Sequence, residues 1–168
     1  KHLGPAEVTC IGIVGTGIQA FEQLRALHPI TACRKVALWG RTPDHVAAFK
    51  NKATSLGFEI TEAASIEDLC KQSNLIVTTT PSPTPLIQAD WVQPGTHLTA
   101  VGADTAEKQE LDSALLGKAS FVVVDSLSQS RTRGEVYQAV KANQLSHDSV
   151  MELGNAIEAA TKEERNNN

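Results

Sequence analysis

The stretch Gly15-Thr16-Gly17-Ile18-Gln19-Ala20 constrains this chain more than any other. It directly follows the apolar run Val8-Thr9-Cys10-Ile11-Gly12-Ile13-Val14 and opens a helical pattern that reaches Leu27. Strand, glycine turn and helix in that order form the setting in which G-x-G-x-x-A reads as a dinucleotide-binding fingerprint. Gly15 permits the tight turn, Gly17 lets the backbone approach a pyrophosphate, and Ala20 takes the small-residue position where helix and strand meet closely. Free N–H groups and the positive dipole end at the helix start then favour phosphate. Gly15, Thr16, Gly17, Ile18 and Gln19 are therefore expected to contact a cofactor, with an ordinary turn as the alternative.

Strand and helix patterns alternate along the rest of the chain. Residues 9–14 and 35–39 read as strands, separated by a helix over residues 18–27. Thr42-Pro43 supplies an N-cap and a proline at the first helical position for a helix running toward Leu56, and Gly57 stops it. Residues 58–60 form a short third strand. Another helix starts at Ser65, with Asp68 placed to close a loose capping box. Asn74-Leu75-Ile76-Val77-Thr78-Thr79 is apolar and β-branched, as a strand covered on both faces should be. Pro81, Pro83 and Pro85 stiffen the loop that follows. Residues 96–101 and 121–124 give the fifth and sixth strands, with a helix over residues 113–118 between them. The tail from Gly134 reads as helical with weak breaks and frays over residues 162–168. This alternation predicts an α/β fold: a doubly wound, mostly parallel sheet, Rossmann-like and NAD(P)-binding, with ligands beyond the carboxyl ends of its strands. The 168 residues suit one such domain.

Composition narrows the partners. A formal charge of -4 without a Lys/Arg cluster argues against nucleic acid. No apolar run nears the ~18 residues of a membrane span, and Lys1-His2-Leu3-Gly4-Pro5 lacks the apolar segment of a leader. A cytoplasmic protein is expected. Cys10, Cys33 and Cys70 are scattered and odd in number, which predicts free thiols rather than disulfides. His2, His28, His45, His97 and His147 show no ligand spacing, so no metal is expected.

The end of the second strand discriminates between the two nicotinamide cofactors. A carboxylate there bonds the ribose 2′-hydroxyl of NAD, whereas a cation accommodates the 2′-phosphate of NADP. This chain has Trp39-Gly40-Arg41-Thr42 and no acid before Asp44. Arg41 offers a bidentate fork, and Thr42 adds a hydroxyl at a helix start. NADP(H) is expected to be preferred, with NAD(H) possible.

Several segments together carry a resemblance. The glycine turn, Trp39-Gly40-Arg41-Thr42 and Val77-Thr78-Thr79-Thr80-Pro81-Ser82 occur in that order. They are followed by Pro94-Gly95-Thr96-His97, Val101-Gly102-Ala103-Asp104-Thr105, Lys108-Gln109-Glu110-Leu111-Asp112, Val124-Asp125-Ser126 and Arg133-Gly134-Glu135. Across its length the chain resembles the nucleotide-binding portion of the ornithine cyclodeaminase/mu-crystallin family. The resemblance implies hydride transfer at an amino acid α-carbon: ornithine to proline plus ammonia, or reduction of a cyclic ketimine. It implies a small amino acid or imine substrate, and a homodimer in full-length members. The family's substrate and dimerisation domain, with the Lys and Arg that hold the substrate carboxylate, has no counterpart in residues 1–168. A non-catalytic NADPH- and small-ligand-binding protein is the alternative.

Asp104 follows a glycine turn after the fifth strand. The residues alone leave two roles open: a catalytic carboxylate, or an N-cap for a helix near residues 107–111. By the resemblance Asp104 matches the family's acidic residue near the substrate amine. Thr79, Thr80, Pro81 and Ser82 are expected at the nicotinamide ribose, with Val101 and Gly102 beside them. Lys108, Gln109 and Glu110 read as helix capping and packing. Arg131, Arg133 and Glu135 read as a polar turn with surface ion pairs. His97 reads as a satisfied, half-buried side chain, and Trp39 and Trp91 as packing residues.

Overall fold

The computed structural model describes residues 3–166, with side chains described through residue 159, so His2 lies outside the described residues. Parallel strands β1 (Ile11–Val14), β2 (Lys35–Trp39), β3 (Glu59–Glu62), β4 (Leu75–Thr78) and β5 (His97–Ala100) form one sheet in the order β3-β2-β1-β4-β5. The chain is an α/β Rossmann-like fold, as its alternating pattern predicts. Helices α1 (Ile18–Leu27) and α2 (Pro43–Thr54) step the chain outward from β1 to β3, and α3 (Ile66–Gln72) carries it back to β4. Strand order therefore reverses between β1 and β4, which pair from Ile11↔Leu75 to Val14↔Thr78. A crevice at such a switch point is where open α/β sheets take their ligands.

Alternate strand residues feed two cores. Ile11, Ile13, Val36, Leu38, Leu75 and Val77 cluster with Phe21 and Leu24 of α1 and Val46 and Phe49 of α2. Val14, Ala37 and Ile76 cluster with Leu69 and Cys70 of α3 and with Ile87, Leu111 and Leu116. Cover on both faces explains why β1 and β4 are apolar at nearly every position. Trp39 and Trp91 pack at the edge of the second core. Ser65 caps α3 by accepting from the Asp68 N–H at 3.0 Å. Thr42 holds the N-cap position of α2, but its hydroxyl makes no cap bond. His97 is satisfied on both ring nitrogens, by Leu3 O at 3.1 Å and Thr99 Oγ1 at 3.2 Å. The three cysteines are free. No helix among the described residues is long and apolar enough to cross a membrane.

The sixth strand differs from expectation. After α4 (Ser113–Lys118), β6 (Val122–Val124) leaves the main sheet and pairs in parallel with β7 (Val150–Glu152). The tail, expected to be helical with weak breaks, also contains a strand. It passes through α5 (Leu127–Ser130) and α6 (Gly134–Lys141), then breaks at Asn143, whose φ of 56° is left-handed. A Ser146-capped 3-10 turn at His147–Ser149 then delivers Val150 extended beside β6, where it buries. The last helix, α7 (Leu153–Asn166), continues through most of the segment expected to fray; Asn167 and Asn168 lie outside the described residues.

Candidate functional site

The carboxyl ends of β2, β1, β4 and β5 lie side by side. Gly15 leaves β1 at a φ of +119°, and its N–H donates to Trp39 O at 2.9 Å. A side chain here would be strained, and its Cβ would lie 2.7 Å from Thr79 Oγ1. Gly17 is the N-cap of α1, with no side chain capping the helix and nothing within 4 Å of an added Cβ. The first-turn N–H groups of α1 thus face open space, the arrangement a pyrophosphate requires. Ile18 is 80% exposed beside them. Thr16 turns the other way and presses on Gly40, where an added Cβ would come within 2.5 Å of Thr16 Cγ2. Arg41 and Thr42 follow directly and are exposed.

On the other flank the loops after β4 and β5 are tied by one residue. Glu110 is fully buried. Its Oε1 accepts from the Thr80 N–H at 2.5 Å and the Thr80 hydroxyl at 2.7 Å. Its Oε2 accepts from the Thr78 hydroxyl at 2.8 Å and the Gly102 N–H at 2.7 Å. Gly102 lies so close that an added Cβ would be 2.0 Å from Thr80 O. The Glu110 and Leu111 N–H groups donate in turn to Glu135 at 2.7 Å and 3.2 Å. Burial pushes the Glu135 carboxyl up to about 7, against the pull of those two N–H donors, and the neighbouring Glu110 adds to the rise.

Glu110 is buried, as its packing reading expects, but its carboxylate holds loop N–H and hydroxyl groups rather than a helix start. Among the described residues Glu135 forms no surface ion pair; it is half-buried and accepts from backbone N–H groups. Residues 107–111 likewise give Asp104 no helix to cap. Asp104 instead accepts from Lys108 Nζ at 2.5 Å. That hydrogen bond, aided by the charges of Lys108 and Arg133, holds its carboxyl below the usual range.

A cleft of about 260 Å³ unites Gln19, Thr79, Thr80, Pro81, Val101, Gly102, Asp104 and Lys108. Asp104 also borders a groove of about 2460 Å³ that follows β5 past Arg133 and Glu135. The Thr79 hydroxyl is buried without a hydrogen-bond partner, and it faces Gly15. Ser82 is not in the cleft: its hydroxyl donates to Thr84 O at 2.6 Å within its own loop. Arg41 and Thr42 lie on the opposite flank of the glycine turn. Among the described residues, no group of three or more His, Cys, Asp or Glu could hold a metal. An open backbone cradle at Gly17, an unpaired hydroxyl under Gly15 and a cation at the end of β2 fit a dinucleotide.

Comparison with known proteins agrees with this architecture. The chain is 34% identical over 157 residues to the iminosuccinate reductase of Paracoccus denitrificans, covering 94% of this chain and 48% of that protein. The solved structure of that reductase in complex with NAD+ superposes with a TM-score of 0.88 at 31% identity, over 95% of this chain and 49% of that one. An archaeal alanine dehydrogenase dimer with bound NAD gives 0.86 at 32% identity, over 93% and 48%. The Thermococcus litoralis Δ1-pyrroline-2-carboxylate reductase in complex with NADH and L-proline gives 0.85 at 26% identity, over 90% and 48%. The chain spans about half the length of these relatives. The family model described as ornithine cyclodeaminase/mu-crystallin matches residues 1–168 throughout, and the chain belongs to that family.

Proposed function

We propose that this chain is the nicotinamide-dinucleotide-binding part of an oxidoreductase or cyclodeaminase acting on amino acids or cyclic imines. The observation that carries the reading is spatial. The uncapped start of α1, with open space over Gly17, adjoins a cleft that ends at the Asp104–Lys108 pair. Gly15, Thr16, Gly17, Ile18 and Gln19 would hold the pyrophosphate, and Thr79, Thr80, Pro81, Val101 and Gly102 the nicotinamide side. When bound, the nicotinamide supplies or accepts hydride. Asp104 sits at the mouth of the cleft as a carboxylate, where it stabilises positive charge on a substrate iminium nitrogen and relays a proton from the amine. Lys108 keeps it ionised and aimed. NADP(H) is preferred in this reading, because Arg41 stands where a ribose-binding carboxylate would be and has no ion-pair partner among the described residues.

Related proteins bring support of the same kind: three solved relatives are described with NAD+, NAD or NADH, one with L-proline, and one as a dimer. Residues 1–168 then make one domain. The other half of a full-length protein supplies the groups that grip the substrate carboxylate, and the dimer contacts. Three free cysteines suit a reducing cytoplasm.

Isothermal calorimetry on the purified chain tests this. Both NADPH and NADH are expected to bind, NADPH more tightly, with Arg41→Ala narrowing the gap. Absence of uptake of either overturns the reading, and equal affinities overturn the NADP preference. In the full-length protein, Asp104→Asn is expected to abolish ketimine reduction by NADPH while sparing NADPH binding.

A further inference from the structure

Glu110 and Glu135 stand behind the cleft rather than in it, yet Glu110 joins the two loops that form its nicotinamide flank. Each Glu110 oxygen takes one backbone N–H and one hydroxyl: Thr80 N–H with Thr80 Oγ1 on one side, Gly102 N–H with Thr78 Oγ1 on the other. Thr78 and Thr80 belong to β4 and its loop, and Gly102 to the loop after β5. The carboxylate therefore bridges neighbouring strand ends from below, and it is fully buried. Its own backbone is fixed twice more: Leu86 and Ile87 N–H groups donate to Glu110 O at 2.8 Å and 3.1 Å, and Glu135 accepts from the Glu110 N–H. No comparable tie reaches residues 40–42 on the adenosine flank among the described residues.

We propose that Glu110 is a positioning residue for the nicotinamide half of the cofactor site: by holding Thr80 and Gly102 at fixed separation it sets the grip on the nicotinamide end without touching the adenosine end. This rests on the dinucleotide reading above. Carboxylate symmetry is the core of the argument. A carboxamide at position 110 has one oxygen and one NH2, so in either orientation the NH2 meets a backbone N–H donor, of Thr80 or of Gly102. One loop must then move, and the cleft changes on the nicotinamide side alone.

The test uses this chain with two probes: NADPH, and 2′-phospho-ADP-ribose, which lacks the nicotinamide. Calorimetry on the unaltered chain is expected to show NADPH bound more tightly than the fragment. In Glu110→Gln the fragment is expected to bind within about 2-fold of the unaltered chain, with NADPH weakened about 10-fold, roughly 1.4 kcal/mol. Thr78→Val removes a single hydroxyl donor to Glu110 and is expected to weaken NADPH about 3-fold selectively, with Thr78→Ser restoring it. The Thr78 pair decides the matter should Glu110→Gln fail to fold. Equal weakening of both probes, or none in either variant, overturns the positioning role; so does an unaltered chain that gains nothing from the nicotinamide. An unaltered chain that binds none of NADPH, NADH and 2′-phospho-ADP-ribose overturns the dinucleotide reading instead.

Discussion

Gly102→Ala should be among the most damaging single methyl additions to this chain. The added Cβ would lie 2.0 Å from Thr80 O, 2.6 Å from Thr80 N and 2.7 Å from the Glu110 carboxyl carbon. Two of these are backbone atoms and the third belongs to a buried, fully engaged side chain, so no flexible end can swing aside. Relief of the 2.0 Å approach to an ordinary 3.4 Å contact requires about 1.4 Å of movement. Such movement pulls the Gly102 and Thr80 N–H groups off Glu110, where they now donate at 2.7 Å and 2.5 Å. Overpacking of this kind costs about 1–3 kcal/mol. A buried acceptor left unpaired adds about 1–3 kcal/mol. The expected loss is therefore about 4 kcal/mol, a substantial part of the roughly 5–15 kcal/mol that stabilises a domain. Urea unfolding of the two purified chains measures it directly, and a thermal midpoint should fall by about 12 °C at this chain length. Gly12→Ala is the comparison: its Cβ would meet Leu69 Cδ2 at 2.6 Å, Ser73 Oγ at 2.9 Å and Ser73 Cβ at 3.1 Å, all side-chain atoms rather than backbone. A Gly102→Ala loss below 1 kcal/mol, or one no larger than that of Gly12→Ala, refutes the reasoning that the two loops are locked.

Three further outcomes follow from particular groups. Gly17→Ala should change stability by less than about 1 kcal/mol, since its Cβ meets nothing within 4 Å, yet weaken NADPH at least 10-fold by intruding where the proposed reading puts the pyrophosphate; unaltered affinity in calorimetry would move the phosphate elsewhere. Burial raises Glu135 from 4.5 to about 7, so between those values the folded chain keeps a proton that the unfolded chain has lost. Its contribution therefore destabilises the fold progressively as pH rises through that window, by up to about 3 kcal/mol, and is constant below and above it. Urea melts at pH 5 and pH 8 should show this slope difference between the native chain and Glu135→Gln, and parallel curves would remove Glu135 from the account. Lys108→Met should let the Asp104 carboxyl titrate at higher pH than in the native chain, because the Lys108 hydrogen bond is the largest cause of its depression; carboxyl carbon NMR reads the midpoint, and no movement would mean the pair is not formed in solution.

Local pattern made the strands legible, and long-range closure hid the rest. The glycine turn, the Thr42-Pro43 helix start and the apolar run ending at Thr78 each declare themselves within a few neighbouring residues. All four strand ends that form the crevice appear where such signals place them. Glu110 and Glu135 carry no such signal. Each looks like any charged residue in a polar stretch, and their meaning lies in partners 30 and 32, or 24 and 25, positions away. The departure of β6 from the main sheet is similar. Val122-Val123-Val124 has the composition of a strand, but its partner is chosen by a break at Asn143 that brings Val150 alongside it. Ser82 lies outside the cleft lining, with its hydroxyl bonded to Thr84 in its own proline-flanked loop.

The two flanks of the crevice consequently rest on different physics. In the proposed dinucleotide reading, the groups that would face the ligand at the glycine turn are backbone N–H groups at a helix start, whose aim is set by α1 itself and by the ladder of β1. Substitution of exposed Arg41 or Thr42 leaves that scaffold intact, so if these residues read the adenosine phosphate as proposed, this flank can change its preference at little cost in stability. The flank formed by β4 and β5 has no helix to aim it. Its loops are positioned by a buried carboxylate and by a glycine with no room for a methyl group. A change there is expected to alter stability and grip together, because the loops that shape the cleft are tied to buried Glu110, whose backbone is bonded to Ile87 and adjoins Leu111 of the second core. Evolution of cofactor choice is therefore expected to be easier at residues 41 and 42 than evolution of the reacting end is at residues 79–82 or 101–104, where each change must first satisfy Glu110.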